Sequence, residues 1–419
     1  MKLFSLRLTT LKSKLYAIVF ASFVVRVVAF FALPNTASNL APDEGNYGAL
    51  AEWIAQGKPA DEYSYSHLYK MSRSLIIPAS VLCKIGLSGV MSVRIISLIY
   101  GVLILGLIAY ALITSKDFIQ KLFKLDSKNQ AIVVVLFSAF AFAPSHLIWA
   151  VLGLRESATE FWTVSTFLTL LLIQSGQIKR KVLGFGIMFL SIVFTFTSRP
   201  QVGWVLVVTL LIYSGIIIRS KTGVLLFLTL ILSLPVIVNI GSTDTTIESP
   251  KSSSNFLEQQ INKQNYHSAM NRENAESAIP EIYCPFDGTG SIKSLACLTW
   301  RTPYAVYTFL FRPIISHDVT NSATLFAALE NMAWLAILLF TTVMTFRNRR
   351  LAYFSELAPS VMFGAIYSVA AGTYEGNMGT AFRHKSLILW VVILLLASTI
   401  VATQQRRAEQ QGISGSSQE

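Results

Sequence analysis

Ten long apolar runs, most of them close to the length of a membrane span, restrict the fold of this 419-residue sequence more than any other feature. A helix that crosses the hydrocarbon core needs about 20 apolar residues, and its backbone polar groups must be bonded within the helix. Hydrophobic residues make up 53% of the chain and charged residues 13%, well below the charge of a soluble domain. The sequence therefore predicts an all-α, polytopic membrane bundle of about ten transmembrane helices. We predict the spans at 15–33, 92–114, 131–153, 158–175, 182–198, 202–218, 223–240, 323–346, 358–372 and 386–402.

The distribution of Lys and Arg assigns the two sides of the bundle. Successive loops between spans lie on opposite sides of the membrane. The two termini and the loops on their side hold eighteen Lys or Arg residues, whereas the short loops 154–157, 199–201 and 373–385 on the other side hold four. The positive-inside rule then places both termini in the cytoplasm and these short loops outside the inner or plasma membrane. The net charge of +12 is thus explained by topology, and we expect no nucleic-acid partner.

The span prediction also divides the chain into units. The run 75–90 is broken by Pro78, Lys84 and Gly86. We interpret it as an interfacial or re-entrant helix; if it crosses the membrane, every later loop changes sides. The second part of the large external loop regains aromatic residues and is expected to pack at the membrane face. The units are a transmembrane core (1–240) with a long first external loop (34–74), a large external loop (241–322), C-terminal helices (323–402) and a cytoplasmic tail (403–419).

Individual polar residues outside the loops have mainly structural interpretations. Arg26, inside the first span, must face the bundle, where we expect an acidic or carbonyl partner. His67 and His146 are interpreted as hydrogen-bonded structural histidines, and the other span interiors as poor in charge. Cys284 and Cys297 share one polar segment, so a disulfide and two free thiols remain equal alternatives.

The unusual polar groups collect on the predicted external side, in five separate segments. Ionisable groups at this depth are costly and mark candidate functional sites. They are Asp43, Glu44 and Tyr47; Arg155 and Glu156; Arg199 and Gln201; Arg312; and Glu375, Asn377, Arg383, His384 and Lys385.

Three of these segments also have a structural alternative. Arg155 and Glu156 are compatible with a local ion pair that closes a hairpin. Arg199 before Pro200 is compatible with a helix end and an arginine that extends to the membrane surface. The stretch AFRHK is compatible with an interfacial anchor.

Arginines and carboxylates at a membrane surface suit an anionic substrate carried by a lipid. Guanidinium groups bind phosphate through two parallel hydrogen bonds. A nearby carboxylate can take the proton of an acceptor that attacks a sugar carbon, while the cations stabilise the departing phosphate. A divalent cation is an option for an acidic pair, but the few external acids make us expect none, and no cofactor is assigned.

The stretch APDEGNYGALAEWIAQG resembles the acidic first-external-loop motif of the GT-C glycosyltransferases. This family includes the protein O-mannosyltransferase and lipid A aminoarabinose transferase types and many bacterial polysaccharide-cluster proteins. An arginine in the first span, LRE, RP, FLFRP and GNMGTAFRHK fit the same pattern at later positions. The chain departs from larger members in having fewer spans and no C-terminal periplasmic domain, which leaves the acceptor open.

The resemblance implies a role for each matching residue. Asp43 would act as the base or position the acceptor, with Glu44 as its neighbour, and the order of these two carboxylates stays open. Arg155, Arg199 and Arg383 would bind the donor phosphate. Tyr47, Glu156, Arg312, His384 and Lys385 complete the predicted substrate-binding set. The implied partners are a polyprenyl-phosphate-linked sugar, a glycan or lipid-linked acceptor and the membrane lipid.

Two other functions fit the same topology. One is a polysaccharide polymerase or ligase of the O-antigen type, which also has a large external loop and external arginines. The other is a transporter of lipid-linked sugars, for which broken helices, inverted repeats and polar groups near the membrane centre are typical. The Asp-Glu pair directly after the first span favours the transferase.

Overall fold

The computed structural model describes residues 10–33, 42–114, 127–242, 292–348, 354–375 and 378–415. These residues form helices and short turns without any β-strand, so the all-α prediction is confirmed for the described part of the chain. The helices are α1 (Leu11–Ala32), α2 (Pro42–Ala55), α3 (Ser66–Lys70), α4 (Arg73–Lys84), α5 (Gly89–Thr114), α6 (Ser127–Ala141), α7 (Pro144–Val151), α8 (Arg155–Gln174), α9 (Lys181–Ser198), α10 (Pro200–Ile216), α11 (Lys221–Ser242), α12 (Ile292–Phe311), α13 (Ile315–Asp318), α14 (Ser322–Asn348), α15 (Phe354–Tyr374) and α16 (Met378–Gly415), with a short 3₁₀ turn at Ala60–Glu62.

Five of these helices are long and apolar enough to cross a membrane. They are α1, α5 and α9 together with the parts Thr324–Arg347 of α14 and Met378–Ile400 of α16. The α6–α7 pair makes a sixth if its two halves form one bent span. Each of the ten predicted spans overlaps a described helix. The apolar parts of α10, α11 and α15 are shorter, however, so the helices support a membrane protein without establishing ten crossings.

Helix α8 covers the predicted span 158–175 and is more polar than a typical membrane span. It carries six Ser or Thr residues and two Glu. Most of its residues are buried, so they face protein rather than lipid. The hydroxyl groups of Thr159 and Thr163 donate to the carbonyl oxygens of the residues four positions earlier, at 2.9 and 2.8 Å. A polar helix is therefore accommodated at the centre of the bundle because its polar groups find partners there.

The predicted span 131–153 contains a break, at which the chain passes from α6 to α7 at an angle of 44°. Pro144, the first residue of α7, lacks the N–H that would continue α6. At the break, each of the two helix ends meets a side chain whose charge is opposite in sign to that end of the helix dipole. The Arg26 Nη1 atom donates to the carbonyl oxygen of Ala141 at 3.2 Å, and Glu330 Oε2 accepts from the Ser145 N–H at 2.9 Å. Charges in these positions complement the helix dipoles and stabilise the break.

Close backbone contact fixes α2, which carries the acidic motif, against the start of α5. A Cβ atom added to Gly89 would lie 2.1 Å from the carbonyl oxygen of Gly48, so neither glycine has room for a side chain. Helix α4 packs on the same two helices. Its 12 residues extend about 18 Å, too short for a bilayer core of about 30 Å. This length fits the interfacial or re-entrant interpretation of 75–90.

The described part of the predicted large external loop includes α12, which packs against α15. A Cβ added to Gly372 would lie 2.7 Å from the carbonyl oxygen of Ala305, and the rings of Phe309 and Tyr367 make an edge contact at 6.1 Å. Aromatic side chains of the loop thus pack on the bundle. Cys284 and the side chain of Cys297 lie outside the described residues, as do residue Asn377 and the His67 side chain.

Candidate functional site

Glu44 is fixed in a buried ion pair at the base of the acidic motif. Its two carboxylate oxygens accept from Arg94 Nε at 2.7 Å and from Arg94 Nη2 at 2.8 Å. The backbone N–H of Gly153 donates to the same carboxylate at 2.7 Å. Both side chains are almost completely buried. Glu44 therefore ties α2 to α5 and to the turn before α8, and Arg94 is a partner that sequence reasoning missed.

Asp43, the neighbouring carboxylate, is in a different environment. It lies half-buried in the first turn of α2. Among the described residues, no hydrogen bond or ion pair engages its carboxylate. Of the two acidic residues in the motif, Asp43 is thus the one with a carboxylate available to a substrate.

Tyr47 links this motif to the arginine-bearing turns. Its side chain is buried, and burial raises the pKa of its hydroxyl. Arg155 opposes this increase, while Glu156 and Asp43 reinforce it, so all three lie close enough to act on the hydroxyl electrostatically. Residues 43–47 and 155–156 therefore belong to one region of the molecule. The Arg155 Nη1 atom also donates to the carbonyl oxygen of Met71 at 3.4 Å.

Glu156 is the centre of a buried cluster built from three helices. Its Oε1 atom lies 3.4 Å from Arg199 Nη1, 3.2 Å from Arg383 Nε and 3.7 Å from His384 Nε2. These partners come from the start of α10 and from the first turns of α16. Arg199 lies at a helix end, as its position before Pro200 suggests, but its side chain is buried against Glu156 and Glu375, so the helix end alone does not account for its contacts.

Glu375 completes the cluster from the turn between α15 and α16. It pairs with His384 Nδ1, and its Oε1 atom lies 3.9 Å from Arg199 Nη2. Burial by itself raises the pKa of the Glu375 carboxyl, but His384, Arg199 and Arg383 outweigh that effect and hold the pKa below its ordinary value. Glu375 is therefore an anion that orients the His384 imidazole. The other ring nitrogen of His384, Nε2, faces Glu156.

Several polar atoms of the cluster lack hydrogen-bond partners among the described residues. They are Glu156 Oε2, Arg383 Nε and His384 Nε2. Two of these atoms, Arg383 Nε and His384 Nε2, lie within ion-pair distance of Glu156 Oε1. Buried polar atoms are normally bonded, so Glu156 Oε2 is the atom of the cluster that can accept from an additional donor. Arg383 approaches Glu156 through Nε, and its side chain is 17% exposed. Its two terminal amino groups can therefore receive a ligand with two oxygens.

Arg312 and Lys385 form a second group beside this cluster. Arg312 pairs with Asp318 through two hydrogen bonds, one of them 2.9 Å from Nε to Oδ2. The Lys385 ammonium donates to the carbonyl oxygen of Arg312 and, at 2.6 Å, to Asn331 Oδ1. Asp318 raises the pKa of Arg312 above its ordinary value. Neither cation contacts Glu156, so the predicted external set divides into two adjacent groups.

A small, partly open cavity adjoins the second group, between α14 and α16. Lys385, Glu330, Asn331 and Ser145 provide its polar atoms, and aliphatic side chains of the two helices provide most of the remaining wall. Glu330 lies inside a predicted span and was not selected from the sequence. Its signal was the presence of a carboxylate in an otherwise apolar helix.

The expected partner of Arg26 is confirmed, because its guanidinium donates to the Ala141 carbonyl oxygen and contacts His146. His146 is hydrogen-bonded and buried, as interpreted from the sequence. In the described ranges, no three His, Cys, Asp or Glu side chains are arranged to hold a metal ion. No family model, curated protein or solved structure matches this chain.

Proposed function

We propose that the chain is a GT-C type membrane glycosyltransferase. It would move a sugar from a polyprenyl-phosphate donor to a glycan, lipid-linked oligosaccharide or protein outside the inner or plasma membrane. The proposal includes ten crossings and cytoplasmic termini. The observation that supports it most is the direct contact of Glu156 with Arg199, Arg383 and His384, which come from distant parts of the sequence.

The donor phosphate is assigned to Arg383 and Arg155. Both are less buried than Arg199, whose contacts with Glu156 and Glu375 engage it inside the cluster. A guanidinium keeps its charge at any relevant pH and binds phosphate bidentately. Glu156 and Glu375 act in this scheme as the groups that position the cations.

Asp43 is assigned as the base, with Glu44 as a structural neighbour held by Arg94. The acceptor hydroxyl oxygen attacks the anomeric carbon, and its proton passes to the Asp43 carboxylate. The bond between the anomeric carbon and the phosphate oxygen breaks, and the polyprenyl phosphate leaves with the electron pair. Arg383 and Arg155 stabilise the charge that develops on the leaving phosphate.

A comparison of Asp43→Asn with Glu62→Gln tests this assignment. Glu62 is an exposed carboxylate in the same external segment, so it controls for loss of charge in that region. In a strain that lacks the protein, each variant is expressed and the surface glycan is analysed for sugar content and chain length. We expect Asp43→Asn to insert normally but to leave glycans that lack one sugar, whereas Glu62→Gln restores the wild-type glycan.

Two other outcomes contradict the proposal. Full activity of Asp43→Asn removes the assigned base. Loss of polymer with intact single repeats in the strain that lacks the protein favours a polymerase instead.

A transporter of lipid-linked sugars is the second candidate, and the break between α6 and α7 favours it. Broken helices with ionisable partners are common where transporters bind their substrates. Movement of a labelled lipid-linked sugar across vesicles by the purified protein, without a transfer product, would establish this alternative.

A further inference from the structure

Helix α4 carries a line of aliphatic side chains on the face that points away from the bundle. Its inner face, with Leu75 and Ile76, is buried against α2 and α5. On the outer face Ile77, Val81 and Ile85, the last directly after the helix, are 47%, 56% and 73% exposed. Positions four apart on a helix are neighbours, so these three side chains form one continuous apolar line. Such a line on an interfacial helix faces lipid chains.

Arg73 stands at the beginning of this line, one helical turn before Ile77. Its guanidinium carbon lies 5.3 Å from the centre of the Tyr69 ring. Its Nε atom is buried without a hydrogen-bond partner, and in the described ranges no carboxylate forms an ion pair with it. Arg73 can therefore bind an anion that comes from outside the chain. The other arginines on the predicted external side whose side chains are described each contact a carboxylate or a carbonyl oxygen; they are Arg94, Arg155, Arg199, Arg312 and Arg383.

The start of α4 borders the region of the assigned base, Asp43. Burial raises the pKa of the Tyr47 hydroxyl, Asp43 adds to this increase, and a hydrogen bond with Ser72, the residue before Arg73, opposes it. The Tyr47 hydroxyl is thus close both to Asp43 and to the first turn of α4. The backbone just before this turn also accepts a hydrogen bond from Arg155 at 3.4 Å.

An arginine without an anionic partner, followed by a line of aliphatic side chains, is complementary to a lipid that carries a phosphate. The guanidinium can form two parallel hydrogen bonds with the phosphate oxygens, and the apolar line can cover the lipid chain. We propose that α4 binds the carrier lipid of the acceptor, with a phosphate of the carrier at Arg73 and its chain along Ile77, Val81 and Ile85. The acceptor is then a lipid-linked oligosaccharide rather than a free glycan or a protein. This inference rests on the proposed glycosyl transfer, in which Asp43 takes the proton of the acceptor.

Native mass spectrometry of the purified protein in detergent, with polyprenyl phosphate as the probe, counts the bound lipids. We expect two molecules on wild type, one at the donor site and one on α4. Arg73→Gln should weaken binding of one molecule about tenfold or more, Arg383→Gln should do so for the other, and the double variant should lose both. Arg73→Lys keeps the charge and should retain most of the binding. Lys84→Gln, which removes an exposed cation at the other end of α4, should bind like wild type.

These variants separate the two lipid sites. Two molecules bound to Arg73→Gln as tightly as to wild type would overturn the inference. Loss of one molecule in Arg73→Gln but none in Arg383→Gln would support the site on α4 and contradict the donor assignment.

The role of the apolar line is tested by chain length in the Arg383→Gln background. Val81→Gln should remove the advantage of a long polyprenyl chain over a short one, whereas Val208→Gln, at an exposed position on α10, should keep it. An unchanged advantage in Val81→Gln overturns the placement of the chain. Displacement of the probe by an equal amount of phosphatidylglycerol would identify a general lipid surface and overturn the acceptor assignment.

The acceptor class is tested in the strain that lacks the protein. Lipid-linked oligosaccharides extracted from this strain should already lack one sugar. Complete lipid-linked oligosaccharides together with mature glycans that lack the sugar would overturn the acceptor assignment and leave the glycosyl transfer intact.

Discussion

Replacement of Glu44 by Gln removes one partner of the most completely buried ion pair in the acidic motif. The change keeps the shape of the side chain but leaves the Arg94 guanidinium buried without its carboxylate. Removal of one member of a buried pair costs about 3–5 kcal/mol, because the remaining charge stays desolvated. The weakened hydrogen bond from Gly153 acts in the same direction. We therefore expect Glu44→Gln to lower the free energy of unfolding by about 3–5 kcal/mol.

Reversible unfolding in mixed detergent micelles, followed by circular dichroism, measures this loss. Asp43→Asn is the matched control, since the half-buried neighbouring carboxylate has no described ion pair, and its effect should stay within about 0.5 kcal/mol. The double variant Glu44→Gln, Arg94→Met should lose less than the sum of the two single changes, because no buried charge remains unpaired. A loss below about 1 kcal/mol for Glu44→Gln, equal to that of Asp43→Asn, would refute the structural role of this pair.

Two further predictions concern stability. The Glu375 carboxyl has a lower pKa in the folded protein than its ordinary value, near 4.5. Its contribution to the free energy of unfolding is therefore fully present above pH 4.5 and is lost as the pH falls through the pKa of the folded state. Acid titration of unfolding should therefore show a shallower loss below about pH 4.5 for Glu375→Gln than for wild type; equal slopes would contradict the assigned ion pairs. Gly48→Ala should cost about 1–3 kcal/mol, because its Cβ would lie 2.7 Å from the backbone nitrogen of Val90. Gly45→Ala on the same helix meets nothing within 4 Å and should be neutral or stabilising; equal effects of the two changes would exclude close packing of α2 on α5.

The sequence predicted the helices well because apolar runs and basic loops are local features. It also selected Glu156, Arg199, Arg383 and His384 as external groups, and the structure brings these four into contact. Their selection rested on a physical rule that needs no tertiary information: an ionisable residue close to apolar spans is costly unless it has a partner.

The partners themselves could not be read from the sequence. Arg94 is near the start of a predicted span and appears there as an ordinary flanking cation, whereas its pairing with Glu44 depends on how α2 folds back onto α5. The prediction that span interiors are poor in charge was wrong for Glu160 and Glu330. A single carboxylate among apolar, Ser and Thr residues does not prevent a segment from being predicted as a span. Pro144 was the available signal for the break inside 131–153, and its effect depends on Arg26 and Glu330, which come from other helices.

The central claim is that the Glu156 cluster presents Arg383 to a lipid-linked phosphate, and equilibrium binding of a short-chain polyprenyl-phosphate sugar to the purified protein in nanodiscs tests it most directly. Loss of a charge-assisted hydrogen bond costs about 1.5–3 kcal/mol, so Arg383→Gln should weaken binding by about tenfold or more. The control is Arg219→Gln, an exposed arginine on the predicted cytoplasmic side, which should bind the donor like wild type. Wild-type affinity in a correctly folded Arg383→Gln protein would contradict the account.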